Sequence, residues 1–137
     1  MTLTTFMKTY KGQNVDYKDE NFKGDDSFQC VDLVRQYIKD VKDLPQPPAL
    51  GANGGAKDLI KKPGVFNVTL NSVDADYSVG DILVWGPTKT NKYGHTAILV
   101  GIYNTKYFWV FEQNGFKQNG AQFELRSREG LLGCLWK

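Results

Sequence analysis

The 137 residues suffice for one domain with one core and leave no room for a second of similar size. Seventeen basic residues against fifteen acidic ones give a formal charge of +2, and the signs are interspersed, so no basic stripe marks nucleic acid as a partner. Two cysteines, Cys30 and Cys134, are too few for a disulfide scaffold, and no apolar run reaches the length of a signal-peptide core or a membrane span; synthesis without Sec export and no membrane partner are expected.

Thr5 to Tyr10 reads as a short helix ended by Lys11-Gly12. The stretch from Asn14 to Asp26 is polar and acidic; it reads first as a solvated loop and second as a calcium loop, without EF-hand spacing. Next comes Ser27-Phe28-Gln29-Cys30-Val31-Asp32-Leu33-Val34-Arg35-Gln36-Tyr37-Ile38, a helix expected to run to about Lys42. Asp25, Asp26 and Ser27 are its capping candidates. Val34, Tyr37, Ile38 and Val41 recur at the spacing of one buried helical face. Cys30 falls in the first turn, on that face and at the positive end of the helix dipole, where a thiolate is favoured; taken alone, a buried core cysteine is the competing reading.

Pro45, Pro47 and Pro48 prevent the helix from continuing. A second short helix, Ala56 to Lys61, stops at Pro63-Gly64. Six strands are then expected: Val65 to Leu70, Asp81 to Trp85, Thr96 to Tyr103, Tyr107 to Gln113, Gln122 to Arg128 and Leu132 to Trp136. Helices followed by closely spaced strands predict an α+β fold, with the helices packed on an antiparallel sheet or half-barrel.

His95 is the only histidine and opens an apolar strand, while Glu112 and Asn114 interrupt the next one. If Tyr103 pairs with Lys106 in the intervening hairpin, His95 lies opposite Asn114 and diagonal to Glu112; a two-residue slip puts it opposite Glu112. Either register keeps the three on one face, with a carboxylate in reach of the imidazole. Together with Cys30 this predicts a nucleophilic thiol, a histidine that takes and returns its proton, and Glu112 or Asn114 orienting the ring. The Cys30 backbone N–H and the Gln29 side chain are candidate oxyanion donors. A metal site of Cys30, His95, Glu112 and Cys134 is a competing use of the same residues, though it lacks the close ligand pairs typical of structural zinc. Cys134, in an apolar last strand, reads as core; a bridge to Cys30 would block the nucleophile.

Four motifs in order, Phe28-Gln29-Cys30-Val31-Asp32-Leu33-Val34, Val79-Gly80-Asp81-Ile82-Leu83-Val84-Trp85, Gly94-His95-Thr96-Ala97-Ile98-Leu99-Val100 and Phe111-Glu112-Gln113-Asn114, resemble those of the CHAP family. These are cysteine, histidine-dependent amidohydrolases/peptidases of phage endolysins and bacterial wall hydrolases. The resemblance runs from about Asn14 to the C-terminus. It implies a papain-like fold, with one catalytic domain spanning 1–137, and cleavage of a peptidoglycan amide, either as N-acetylmuramoyl-L-alanine amidase or as stem or cross-bridge endopeptidase. It also implies Cys30 as nucleophile, His95 as base, Glu112 as orienting residue, Asn114 as a fourth site residue and Gln29 before the nucleophile. Asp81 is expected to form a turn or cap.

Many phage members carry calcium on aspartates nine and seven residues before the cysteine and two after it. Here Asn21 and Lys23 hold the upstream places and only Asp32 corresponds. No cofactor is therefore expected; if calcium bound, Asp16, Asp19, Asp25 and Asp32 would be the candidates, and Lys18 or Lys23 is the alternative positive charge. Trp85, Tyr93 and Trp109 are candidate substrate-binding aromatics, with core packing the stronger reading for Trp109. The resemblance further implies a phage-encoded endolysin or tail lysin, made in the host cytoplasm and monomeric, alone or within a larger lysin. A wall-binding or tail-structural module without turnover is the alternative.

Overall fold

The computed structural model describes residues 1–17, 29–51, 53–114 and 120–137. Helix α1 (Leu3–Tyr10) is capped by the Thr2 side chain, which accepts from the Thr5 N–H. Helix α2 (Cys30–Tyr37) continues into a π-helical turn, Ile38–Lys42, that ends at Asp43 in a left-handed conformation (φ 52°). Arg35 then donates to the carbonyls of Pro47 and Pro48 at 2.8 and 3.0 Å, fastening the proline run that stops the helix against its own side. A 3-10 turn, Ala56–Ile60, precedes six strands: β1 (Asn67–Leu70), β2 (Ile82–Trp85), β3 (His95–Ile102), β4 (Tyr107–Glu112), β5 (Gln122–Ser127) and β6 (Leu131–Trp136).

The strands form one antiparallel sheet in the order β1-β6-β2-β3-β4-β5. This is the α+β, papain-like arrangement the sequence predicts. Alternation along each strand divides the interior into two apolar clusters. On one face Leu33, Val34, Tyr37 and Ile38 of the α2 segment pack with Phe6, Ile82, Val84, Ile98, Phe111 and Leu135. Val34, Tyr37 and Ile38 are buried as their spacing requires, and Val41 packs at the margin. The buried Tyr37 hydroxyl donates to the Gly80 carbonyl at 2.8 Å, which spares the core an unsatisfied polar group and ties α2 to the turn into β2. The other face gathers Tyr77, Leu83, Trp85, Ala97, Leu99, Phe108, Val110, Leu131 and Cys134.

The β3–β4 hairpin departs from its expected turn. Tyr103 and Asn104 both donate to the Tyr107 carbonyl, and the Asn104 side chain accepts from the N–H groups of Lys106 and Tyr107, so the loop is a residue longer than a Tyr103–Lys106 pairing allows. A bulge between Leu99 and Gly101 absorbs the extra residue, and beyond it Ile98 pairs with Phe111. That is the register first expected at His95, reached by two compensating irregularities.

Asp81 forms its turn: its Oδ2 accepts from the Ser78 N–H at 2.9 Å. No helix among the described residues is long and apolar enough to cross a membrane.

Candidate active site

The N-cap of α2 is Gln29, and Cys30 is the first helical residue. Asp32, three residues on, turns back so that its Oδ2 accepts from the Gln29 N–H at 3.0 Å. The expected caps Asp25, Asp26 and Ser27 lie outside the described residues. A second restraint comes from Gln113, which is fully buried just past β4. Its Oε1 accepts from the Val15 N–H at 2.7 Å, and its Nε2 donates to the carbonyls of Val15 and Gln29 at 2.8 and 3.0 Å. The start of α2 is thereby fixed beside the end of β4.

His95 is buried at the start of β3, paired directly with Trp85 of β2. Their rings lie 5.9 Å apart. The backbone entering His95 is pressed against the 3-10 turn. Lys57 N–H donates to the Tyr93 carbonyl at 3.0 Å, and at Gly55 a Cβ would stand 2.5 Å from Tyr93 Cβ, so only glycine permits this approach.

The imidazole Nε2 lies 3.0 Å from Glu112 Oε1. Burial by itself pulls the imidazole pKa down, but charge and hydrogen bonding from Cys30 and from Glu112 outweigh it and raise the pKa from 6.5 to about 9. His95 is therefore an imidazolium at neutral pH, between the sulfur and the carboxylate. Glu112 is 2% exposed; burial would raise its pKa, yet hydrogen bonds from His95 and Arg126 hold the carboxyl below its ordinary range. Arg126, on β5, donates through Nε to the same Oε1 and through Nη2 to Oε2 at 3.1 Å.

Cys30, His95 and Glu112 are thus brought together. Gln29 is exposed immediately before Cys30. Asn114 is half-buried and follows the pair, but its left-handed backbone (φ 52°) turns the chain out of β4, so of the three polar residues expected on one strand face His95 and Glu112 are the two joined there. Tyr93 is 46% exposed two residues before His95. Trp85 is buried and supports the imidazole from behind. Trp109, 42% exposed, has the strand parity opposite to Glu112 and is neither core nor brought to the site. Cys134 is fully buried and its thiol donates to Asp81 Oδ2 at 3.7 Å; both cysteines are free.

Among the described residues no three His, Cys, Asp or Glu side chains converge as metal ligands, so Cys134 does not complete a site with Cys30, His95 and Glu112. Asp32 is buried and its Oδ2 accepts from the Gln29 N–H; of the other candidate calcium residues Asp16 is described, whereas Asp19, Asp25, Lys18 and Lys23 are not. Sequence reasoning missed Arg126 and gave Gln113 no role. The first needed the β4–β5 register, which places Arg126 opposite Phe108 and on the face of Glu112. The second had a signal, an amide beside the carboxylate in an apolar strand.

A helix-borne cysteine meeting a strand-borne histidine, the helix laid on an antiparallel sheet, defines the papain-like class. Within it, a CHAP domain model matches residues 19–114, and the chain belongs to the CHAP family. Among solved structures the chain is similar to the wild-type endolysin LysIME-EF1 (TM-score 0.71, 20% identity), covering 99% of this chain and 64% of that one. It is also similar to Ly7917 (TM-score 0.62, 18% identity), covering 78% of this chain and 52% of that one. Ly7917 has also been solved with the hydrolyzing product of MDP (TM-score 0.59, 19% identity). The chain thus spans about half to two-thirds the length of these neighbours. No curated protein sequence matches it.

Proposed function

We propose that the protein is a peptidoglycan hydrolase that cuts an amide bond of the bacterial wall through a Cys30 acyl-enzyme. The observation that carries this reading is the buried His95 held between Cys30 and Glu112, in a chain of the CHAP family. The imidazolium beside the sulfur stabilises a thiolate, and the start of α2 adds its dipole. The thiolate attacks the amide carbonyl, whose oxygen gains charge next to the Cys30 N–H and the Gln29 side chain. As the tetrahedral intermediate collapses, His95 gives its proton to the leaving amine and a thioester remains on Cys30. His95, now neutral, takes a proton from water, which attacks the thioester and releases the carboxylate.

Glu112 keeps the ring turned toward the sulfur. Asn114 is the fourth site residue, and the exposed Tyr93 ring offers a surface for stem peptide or sugar. The endolysin neighbours support a wall hydrolase; we extend this to a phage-encoded endolysin or tail lysin, working as a monomer by itself or within a longer lysin, without metal. The scissile amide is either the N-acetylmuramoyl-L-alanine bond or a stem or cross-bridge peptide bond. Mass spectrometry of purified walls digested by the protein tests this. A new amine on the stem L-alanine identifies the amidase, a new amine within stem or bridge the endopeptidase, and wall binding with no new amine refutes the hydrolase.

A further inference from the structure

Around the imidazole the contacts close into a ring. His95 Nε2 meets Glu112 Oε1; Arg126 Nε and Nη2 grip both oxygens of Glu112; the Arg126 guanidinium lies 5.4 Å over the Trp85 ring; and Trp85 lies against His95. Trp85 is anchored in turn by its indole N–H, which donates to the Ser127 carbonyl at 3.0 Å, one residue beyond Arg126. The groups facing His95 are Cys30 from α2, Glu112 from β4 and, through Glu112, Arg126 from β5. On the neighbouring 3-10 turn Lys57 is turned to Asp58, and in the preceding loop Lys92 lies over the Tyr93 ring.

We propose that Arg126 is a positioning residue for the reaction: it shares Glu112 Oε1 with His95, orients the carboxylate by a two-point grip, and tempers its hold on the imidazolium. This rests on the reading of Cys30 and His95 as the reacting pair. A buried carboxylate facing only the imidazole would be free to rotate and would also bind the imidazolium more tightly, so His95 would part less readily with the proton the leaving amine needs. The guanidinium corrects both. It fixes Glu112 through two donors in a rigid fork, which an ammonium does not reproduce, and it divides the charge of Oε1 between two cations.

The single histidine allows a direct test, because one imidazole resonance reports on His95 alone. In Arg126→Gln the NMR titration midpoint of His95 moves up from its wild-type position by roughly one pH unit, and in Glu112→Gln it moves down. A merely structural arginine would leave it in place. Arg126→Lys keeps the charge and loses the fork: the midpoint stays, while kcat for release of wall fragments falls about 10- to 100-fold at unchanged KM. An Arg126→Gln midpoint at or below wild type overturns the proposal. So does wild-type turnover in Arg126→Lys, which decides the matter should Arg126→Gln not fold. If the wild type releases nothing from walls, the hydrolase reading fails, but the histidine titration still decides what Arg126 does.

Discussion

Raising the pH from 6 to 10 should remove a specific and sizeable part of the stability. His95 is held as an imidazolium, its pKa raised from 6.5 to about 9 by Cys30 and Glu112 against the opposing effect of burial. A group whose pKa is higher in the folded state contributes stability that is complete below the unfolded value, near 6.5, and is lost as the pH passes the folded one, near 9. At about 1.4 kcal/mol per pH unit, that rise is worth about 3 kcal/mol. Other groups weaken the fold over the same range. Burial raises Cys134 to about 12 and raises Tyr37 further, so the unfolded chain sheds these protons first. The clean measure is therefore a difference: urea unfolding of wild type and His95→Gln at pH 6, 8 and 10. The wild type should lose about 3 kcal/mol more than the variant between pH 6 and 10, with somewhat more than half of that already lost by pH 8. Equal losses in the two proteins would refute the claim that the fold holds His95 charged.

Three further outcomes follow from contacts around the site. Glu112→Gln leaves Arg126 without its buried partner and should cost about 3–5 kcal/mol at pH 7 by urea unfolding; because the native carboxyl sits below its ordinary range, the wild type should also lose stability on acidification where the variant does not. Gln113→Leu strands the Val15 N–H and the carbonyls of Val15 and Gln29, at a cost of about 2–4 kcal/mol. Hydrogen exchange at the Val15 amide should accelerate in that variant; unchanged protection there would contradict the tether. Gly55→Ala forces a Cβ to within 2.5 Å of Tyr93 and should displace the backbone entering His95, lowering stability by about 1–3 kcal/mol and wall hydrolysis with it, as thermal unfolding and fragment release would record.

The elements whose sequence signal is periodic were legible. The α2 face was written in Val34, Tyr37 and Ile38, and the strand alternation placed His95 and Glu112 on one face, where they meet. What escaped depends on relations no local pattern carries. The hairpin turn and the bulge at Val100 are each a residue away from a Tyr103–Lys106 pairing and cancel, so of the two registers left open for His95 the pairing of Ile98 with Phe111 follows the unslipped one. Asn104 holds that turn through its side chain, a preference a two-residue hairpin template does not contain. Trp109 reads from the sequence as a candidate aromatic of the site with core packing the stronger reading, yet it is 42% exposed and on the strand face opposite to Glu112, although Phe111 on that same face is fully buried. Arg126 became visible with the β4–β5 pairing, since nothing near it in sequence marks Glu112 as its partner.

The central claim is that Cys30, and not the buried Cys134, is the nucleophile of a wall hydrolase. Soluble fragments released from purified peptidoglycan should be measured for the wild type, Cys30→Ala and Cys134→Ala, each first shown to be folded by circular dichroism. Release should fall to background in Cys30→Ala and persist in Cys134→Ala, whose thiol is fully buried against Asp81. Undiminished release by Cys30→Ala would contradict the account.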